Sequence, residues 1–130
     1  MNTWILRKAI YGELTNIIRT GSYMKWYDNL FLGEKAAPKA AKMKWKISHN
    51  AGMVTAYVIT FASNPDNLMD IIPSRELLQK GYPKKDMTII GLALGYEEAL
   101  QVVQQIIQET YDYTGGTDVK SYLLTGRGSS

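Results

Sequence analysis

The chain has 130 residues, of which 45% are hydrophobic and 21% charged, with a net charge of +3 and no cysteine. That length suits one domain with a real core, burying roughly two-thirds of its unfolded surface. The missing thiols exclude disulfides, thiolate metal centres and cysteine nucleophiles, and no apolar run approaches the ~18–20 residues of a membrane span.

The first stretch, "MNTWILRKAIYGEL", lacks the basic start, apolar centre and small-residue cleavage site of a secretory signal. The expected setting is therefore cytoplasmic, with no membrane partner. Charge is unevenly spread. Residues 1–50 hold nine Lys/Arg against three Asp/Glu, whereas residues 51–130 hold six against nine. A basic first part suits a polyanion or acidic partner, and it equally suits self-association of one half on the other.

In chain order, Leu6, Ile10, Leu14, Ile17 and Ile18 recur at helical spacing and predict a helix from Trp4 to Thr20, capped by Thr3 and stopped by Gly21. Gly12 inside it costs about 1 kcal/mol relative to alanine. Ser22 offers a new cap for "YMKWYDNLFL", read as a second helix up to Gly33, with a short extended ending as the alternative for so aromatic a segment. "EKAAPKAAKMKWKI" reads as a third helix with Pro38 in its first turn. "SHNAG" is a turn broken by Asn50 and Gly52.

"MVTAYVITFA", 53–62, is β-branched, aromatic and almost uncharged, which predicts a strand covered on both faces. "SNPDN" is a loop. "LMDII" fits helix or strand. "PSRELLQKG" is a short helix, "YPKKD" a turn, and "MTIIGLAL", 87–94, a second buried strand. "YEEALQVVQQIIQETYDYT" is the strongest helix, with Leu100, Val103, Ile106, Ile107 and Tyr111 as its apolar stripe and Glu97 and Glu98 in its first turn. Gly115-Gly116 ends it. Thr117 or Asp118 caps a last short helix to Leu124, and 125–130 is a disordered tail or a vector-derived remnant.

The expected class is α/β (or α+β). N-terminal helices lead into a strand–helix–strand–helix unit whose two long strands pair in parallel through a right-handed crossover. The expected domain is 1–124, with a basic helical part to residue 50. So small a sheet leaves an apolar edge that must be covered or paired; the N-terminal helices could cover it or a second copy extend it, and the expectation is a homodimer.

Four features bear on chemistry. At the Gly91–Glu98 junction the glycines have neither dinucleotide nor P-loop spacing, and two glutamates already occupy the position of an anion. Gly91, inside a strand pattern, marks a bulge or a close approach of another backbone. Lys35, Lys39, Lys42 and Lys46 step by four, three and four, so they share one helical face, with Lys44 and Trp45 beside it. This is a surface for a polyanion or acidic partner, or a plain solvated face. Trp26, Tyr23, Tyr27 and Trp45 are available for stacking, but no arginine lies in the run to read bases.

His49, the only histidine, stands in a turn without a partner for base catalysis or metal binding. If the strands are parallel, Ser63, Asn64, Asp66 and Tyr96 converge on a ligand crevice beyond the strand ends. No cofactor is called for.

Over roughly residues 57–124, on "YVITFASNPDNLMDIIPSRELL", "IIGLALGYEEALQVVQQII" and "TGGTDVKSYLL", the chain resembles a group of small bacterial proteins of unknown function, and "WYDNLFLGEKAAPKAAKMKWKI" extends the likeness. The resemblance implies no activity and no functional residue. It implies that the lysine helix and the strand–helix part form one unit. The sequence thus reads as a non-catalytic interaction or self-associating module. The alternatives are a nucleic-acid-associated accessory protein acting through the helix 35–47, and a small-ligand binder or enzyme at the strand ends.

Overall fold

A computed structural model describes residues 24–53, 55–79, 82 and 87–127. The predicted helix over 4–20, Tyr23, most of the turn at 82–86 and the last three residues lie outside that set. The elements are β1 (Lys25–Leu32), a 3₁₀ turn (Ala37–Lys39) running into α1 (Ala40–Ser48), β2 (Ala56–Phe61), β3 (Met69–Pro73), α2 (Ser74–Leu77), β4 (Thr88–Leu94), α3 (Tyr96–Thr114) and α4 (Val119–Ser121), which continues as a π-type turn over Tyr122–Arg127.

The chain is mixed α/β, built on one four-stranded sheet in the order β1-β4-β2-β3. β1 runs parallel to β4, and β2 runs antiparallel to both β4 and β3. The sheet is therefore mixed, and the expected parallel pair of long strands is antiparallel. "LMDII" decides this. It forms β3, which folds straight back on β2, with Phe61 opposite Met69 and Tyr57 opposite Pro73. The Asn64–Asn67 turn joins them, with the Asn64 side chain accepting from the Asp66 N–H at 2.9 Å. After that reversal the chain enters β4 against the direction of β2.

The second correction concerns "YMKWYDNLFL", which is strand β1 over Lys25–Leu32 and not a helix. Trp26, Tyr27 and Phe31 prefer a pleated surface and Asp28 and Asn29 disfavour helix. The helix reading rests on a cap at Ser22 and a stop at Gly33, and the strand itself is irregular. Its register against β4 shifts between Trp26 and Phe31.

Side chains alternate to two cores. Phe31, Ile59, Ile90 and Ala93 of the sheet pack with Val102 and Ile106 of α3 and Leu123 of the last turn. Towards α1 and α2 point Val58, Ile72, Ile89, Leu92, Met43, Ile47 and Leu77. The sheet thus lies between two helical layers. The alternation survives a bulge, since β2 pairs Ile59 with Gly91 and then Thr60 with Ile89. Ile90 and residue 91 therefore follow one another on the α3 side. A Cβ at 91 would stand 3.1 Å from the Phe31 carbonyl oxygen and 3.2 Å from Val102 Cγ1, so glycine lets α3 and β1 close on the central strand.

α3 buries Glu98, Ala99, Val102, Ile106 and Thr110. Its inner face is rotated from the predicted stripe, of which Ile106 alone is fully buried. Val103 and Ile107 are half-buried, and Leu100 and Tyr111 are exposed. At the C-terminal end Asp118 caps α4 by accepting the Ser121 N–H at 3.2 Å. The Tyr27 hydroxyl donates to the Leu123 carbonyl at 3.0 Å, tying β1 to the last turn. Thr125–Arg127, expected in the tail, belong to that turn. Among the described residues, no helix is long and apolar enough to cross a membrane.

Candidate functional site

Among the described residues, three places have the geometry to bind something, and a fourth is closed by the protein itself. The closed one lies beyond the C-terminal ends of the parallel pair β1 and β4, where α/β sheets commonly hold ligands. Two helical segments begin there, the 3₁₀ turn before α1 and the helix α3. The Glu98 carboxylate, 7% exposed, fills the space between them. It accepts the Lys35 N–H at 2.9 Å on Oε1, and the Ala36 and Leu94 N–H groups, each at 3.1 Å, on Oε2. A Cβ on Gly33 would overlap that carboxylate and displace it, so glycine leaves room for it here. Gly95, at φ 92°, makes the turn from β4 into α3. The junction between β4 and α3 is an anion position held by an internal anion.

The first open place is the apolar surface between α3 and β3. Half-buried Tyr57 and Phe61 of β2 and Met69 and Ile71 of β3 face the α3 layer. Beside them Tyr96, Leu100, Val103 and Ile107 run along one side of α3 at four-, three- and four-residue spacing. Tyr96 is 54% and Leu100 41% exposed, and the Tyr96 ring meets Tyr57 edge-on at 5.9 Å. Leu68, at the start of β3, is exposed as well.

Among the described residues β3 pairs only with β2, and none of them pairs with its outer edge. Its acidic residue does not guard that edge. The Asp70 carboxylate turns back to accept the Ser63 N–H at 3.1 Å and the Ser63 hydroxyl at 3.3 Å.

The second place is the basic face of α1. Its core side is Met43 and Ile47. Lys35, Lys39, Lys42 and Lys44 are exposed and Lys46 half-buried. Lys35 lies in the turn before α1 and Lys39 ends the 3₁₀ segment, so only Lys42, Lys44 and Lys46 stand on the helix proper. Lys44 Nζ sits over the Trp26 ring at 5.2 Å.

Trp45 is 58% exposed and stacks on His49, with ring centroids 4.1 Å apart and planes 16° from parallel. His49 Nδ1 donates to the Trp45 carbonyl at 2.8 Å. A carbonyl only accepts, so this bond places a proton on Nδ1 and fixes the ring.

The third place is an open cleft of about 810 Å³ where β2 ends and β1 and β4 begin. Lys25, Tyr27, Asp28, Asp70, Tyr82 and Lys120 are among its lining residues. Burial pushes the Tyr82 hydroxyl up from its usual range, and Glu76 and Asp70 add to the shift, so the phenol stays neutral.

The predicted crevice residues are not brought together. Ser63 lines this cleft, whereas Tyr96 stands at the other end of the sheet, where β4 ends beside the start of β2. Asn64 spends its side-chain oxygen on the backbone N–H of Asp66 in its own turn. The convergence required parallel strands. Among the described residues no three His, Asp or Glu side chains cluster as a metal site would require.

Comparison of the chain with known protein families, curated proteins and solved structures returns no match.

Proposed function

We propose that this chain is a non-catalytic interaction module that self-associates, two copies meeting through β3 and the outer stripe of α3. The supporting observation is the coincidence of an open, regular strand edge with a half-exposed apolar surface that continues onto the neighbouring helix. Exposed apolar edges of this kind are pairing templates, and soluble proteins otherwise blunt them with lysine, bulges or covering elements. β3 carries no lysine and pairs regularly with β2 over all its residues. β1, at the other edge, starts with Lys25, carries Asp28 and has broken register; it is the blunted one.

A second copy suits this surface better than an unrelated partner. α3 contains no lysine or arginine, and Gln101, Gln104 and Gln108 stand on its outer side. A two-fold axis across it sets neutral amides and apolar groups against themselves, with no like-charged pair at the centre. Pairing β3 with its symmetry mate extends the sheet from one copy to the next.

The expected result of light scattering on the full chain is twice the 14.6 kDa chain mass. Leu100→Glu, which places a charge in the centre of the interface and little changed in the monomer, weakens association by about 2 kcal/mol or more with unaltered circular dichroism. A monomer mass at high concentration contradicts the proposal.

A further inference from the structure

We infer that the α1 face is a binding site for single-stranded nucleic acid, with Trp45 as the stacking surface and Lys42, Lys46 and Lys39 as phosphate contacts. The site lies on the helical layer opposite the proposed self-association surface, so the two proposals stand or fall separately.

Tryptophan is rarely buried completely and a single exposed one is ordinary; the setting of this one is what matters. Here 58% of Trp45 is exposed. Its position on α1 explains why. Met43 and Ile47 point into the core, and at 100° per residue Trp45 falls on the side away from both. The ring is nevertheless held in place. His49 lies four residues on and stacks within 16° of parallel, pinned by its bond to the Trp45 carbonyl. A preordered aromatic plane loses little freedom when a base stacks on it.

The charge around that plane has one sign. Residues 35–48 contain five lysines and no carboxylate. Lys42 precedes Trp45 by three residues, the spacing that sets side chains next to each other on a helix. Lys46 follows Lys42 by four, and Lys39 extends the row towards the 3₁₀ turn. Lys44 is engaged with Trp26 on the other flank. A stacking plane bordered by a lysine row matches a strand whose bases are unpaired and whose phosphates run alongside. Duplex DNA offers the phosphates but keeps its bases stacked on one another. The absence of arginine from the row predicts binding without base readout.

The test is a fluorescence titration of the full chain with labelled oligo(dT) of about 15 nucleotides, a length within the range of single-strand sites. Duplex DNA, heparin and poly-glutamate serve as competitors at equal charge. The expected result is quenching of tryptophan emission, with log K falling against log salt by about 0.7 for each phosphate engaged, and oligo(dT) preferred to all three competitors. Trp45→Ala weakens oligo(dT) binding about tenfold and leaves heparin binding unchanged, while Trp45→Phe restores most of it. Lys42→Glu with Lys46→Glu weakens both and lowers the salt slope. All these side chains lie outside the fully buried core, so circular dichroism stays that of the parent. Heparin or poly-glutamate binding as tightly as oligo(dT), with Trp45→Ala without effect, overturns the inference in favour of an unspecific basic surface or an acidic protein partner. Absence of binding at low salt overturns it outright.

Discussion

Glu98→Ala is expected to lower the unfolding free energy by about 3 kcal/mol, measured by urea denaturation at neutral pH. The loss is large because one carboxylate serves three backbone donors from two parts of the chain, the N–H groups of Lys35, Ala36 and Leu94. The Ala36 bond is buried and the other two are partly so. When the carboxylate is removed, these donors are left poorly satisfied in a space that water enters with difficulty. Glu97→Ala, one residue away and exposed, changes stability by less than about 0.5 kcal/mol.

Gly33→Ala destabilises through the same carboxylate, because the new Cβ displaces it. The two substitutions are therefore strongly non-additive. Once Glu98 is alanine, the carboxylate that a methyl at position 33 would overlap is gone. Equal costs for Gly33→Ala in both backgrounds would show that the glycine serves another purpose.

Ile106→Ala costs about 3 kcal/mol, within the span seen for emptying a closed aliphatic site. Ile106 is 0% exposed and packs in the core between α3 and the sheet. Leu100→Ala, on the same helix and 41% exposed, costs below about 1 kcal/mol in the monomer. The contrast separates the inner face of α3 from the stripe available to a partner. Similar losses at both positions in dilute, monomeric protein would place Leu100 in the core and remove the surface on which self-association rests.

Much of the fold was legible in the sequence, and the failures share a cause. α1, β2, α2, β4 and α3 were readable because each presents a local period or a clean stop signal. β3 was not. Five residues with Asp70 in the middle fit either period, and only pairing with β2 settles them. The strand direction followed from that one element, and with it the separation of Ser63 from Tyr96.

β1 was misread because its irregular register against β4 breaks the alternation that marks a strand. On α3 the apolar residues were found, but the buried face also contains Ala99, Thr110 and Glu98, which a count of large apolar side chains does not weigh. The role of Glu98 had no local signature beyond its place in the first turn. Its partners Lys35 and Ala36 lie more than 60 residues away. A glycine after an apolar strand and a glutamate in the first turn of a distant helix can now be read together.

The basic row was visible as spacing alone. Its division between a turn, a 3₁₀ segment and a helix was not, nor was the outward position of Trp45 over His49. Of the aromatic residues offered for stacking in the sequence, Trp26 is engaged by Lys44 and Tyr27 by the Leu123 carbonyl.

The central claim is that β3 is the edge through which two copies join, and amide hydrogen exchange followed as a function of protein concentration tests it most directly. Self-pairing predicts that amides within Met69–Ile72 gain protection as concentration rises through the association range, together with the outer side of α3, while β1 is unchanged. Leu100→Glu abolishes the concentration dependence. Exchange at β3 that stays constant while the mass doubles would contradict the claim and place the interface elsewhere.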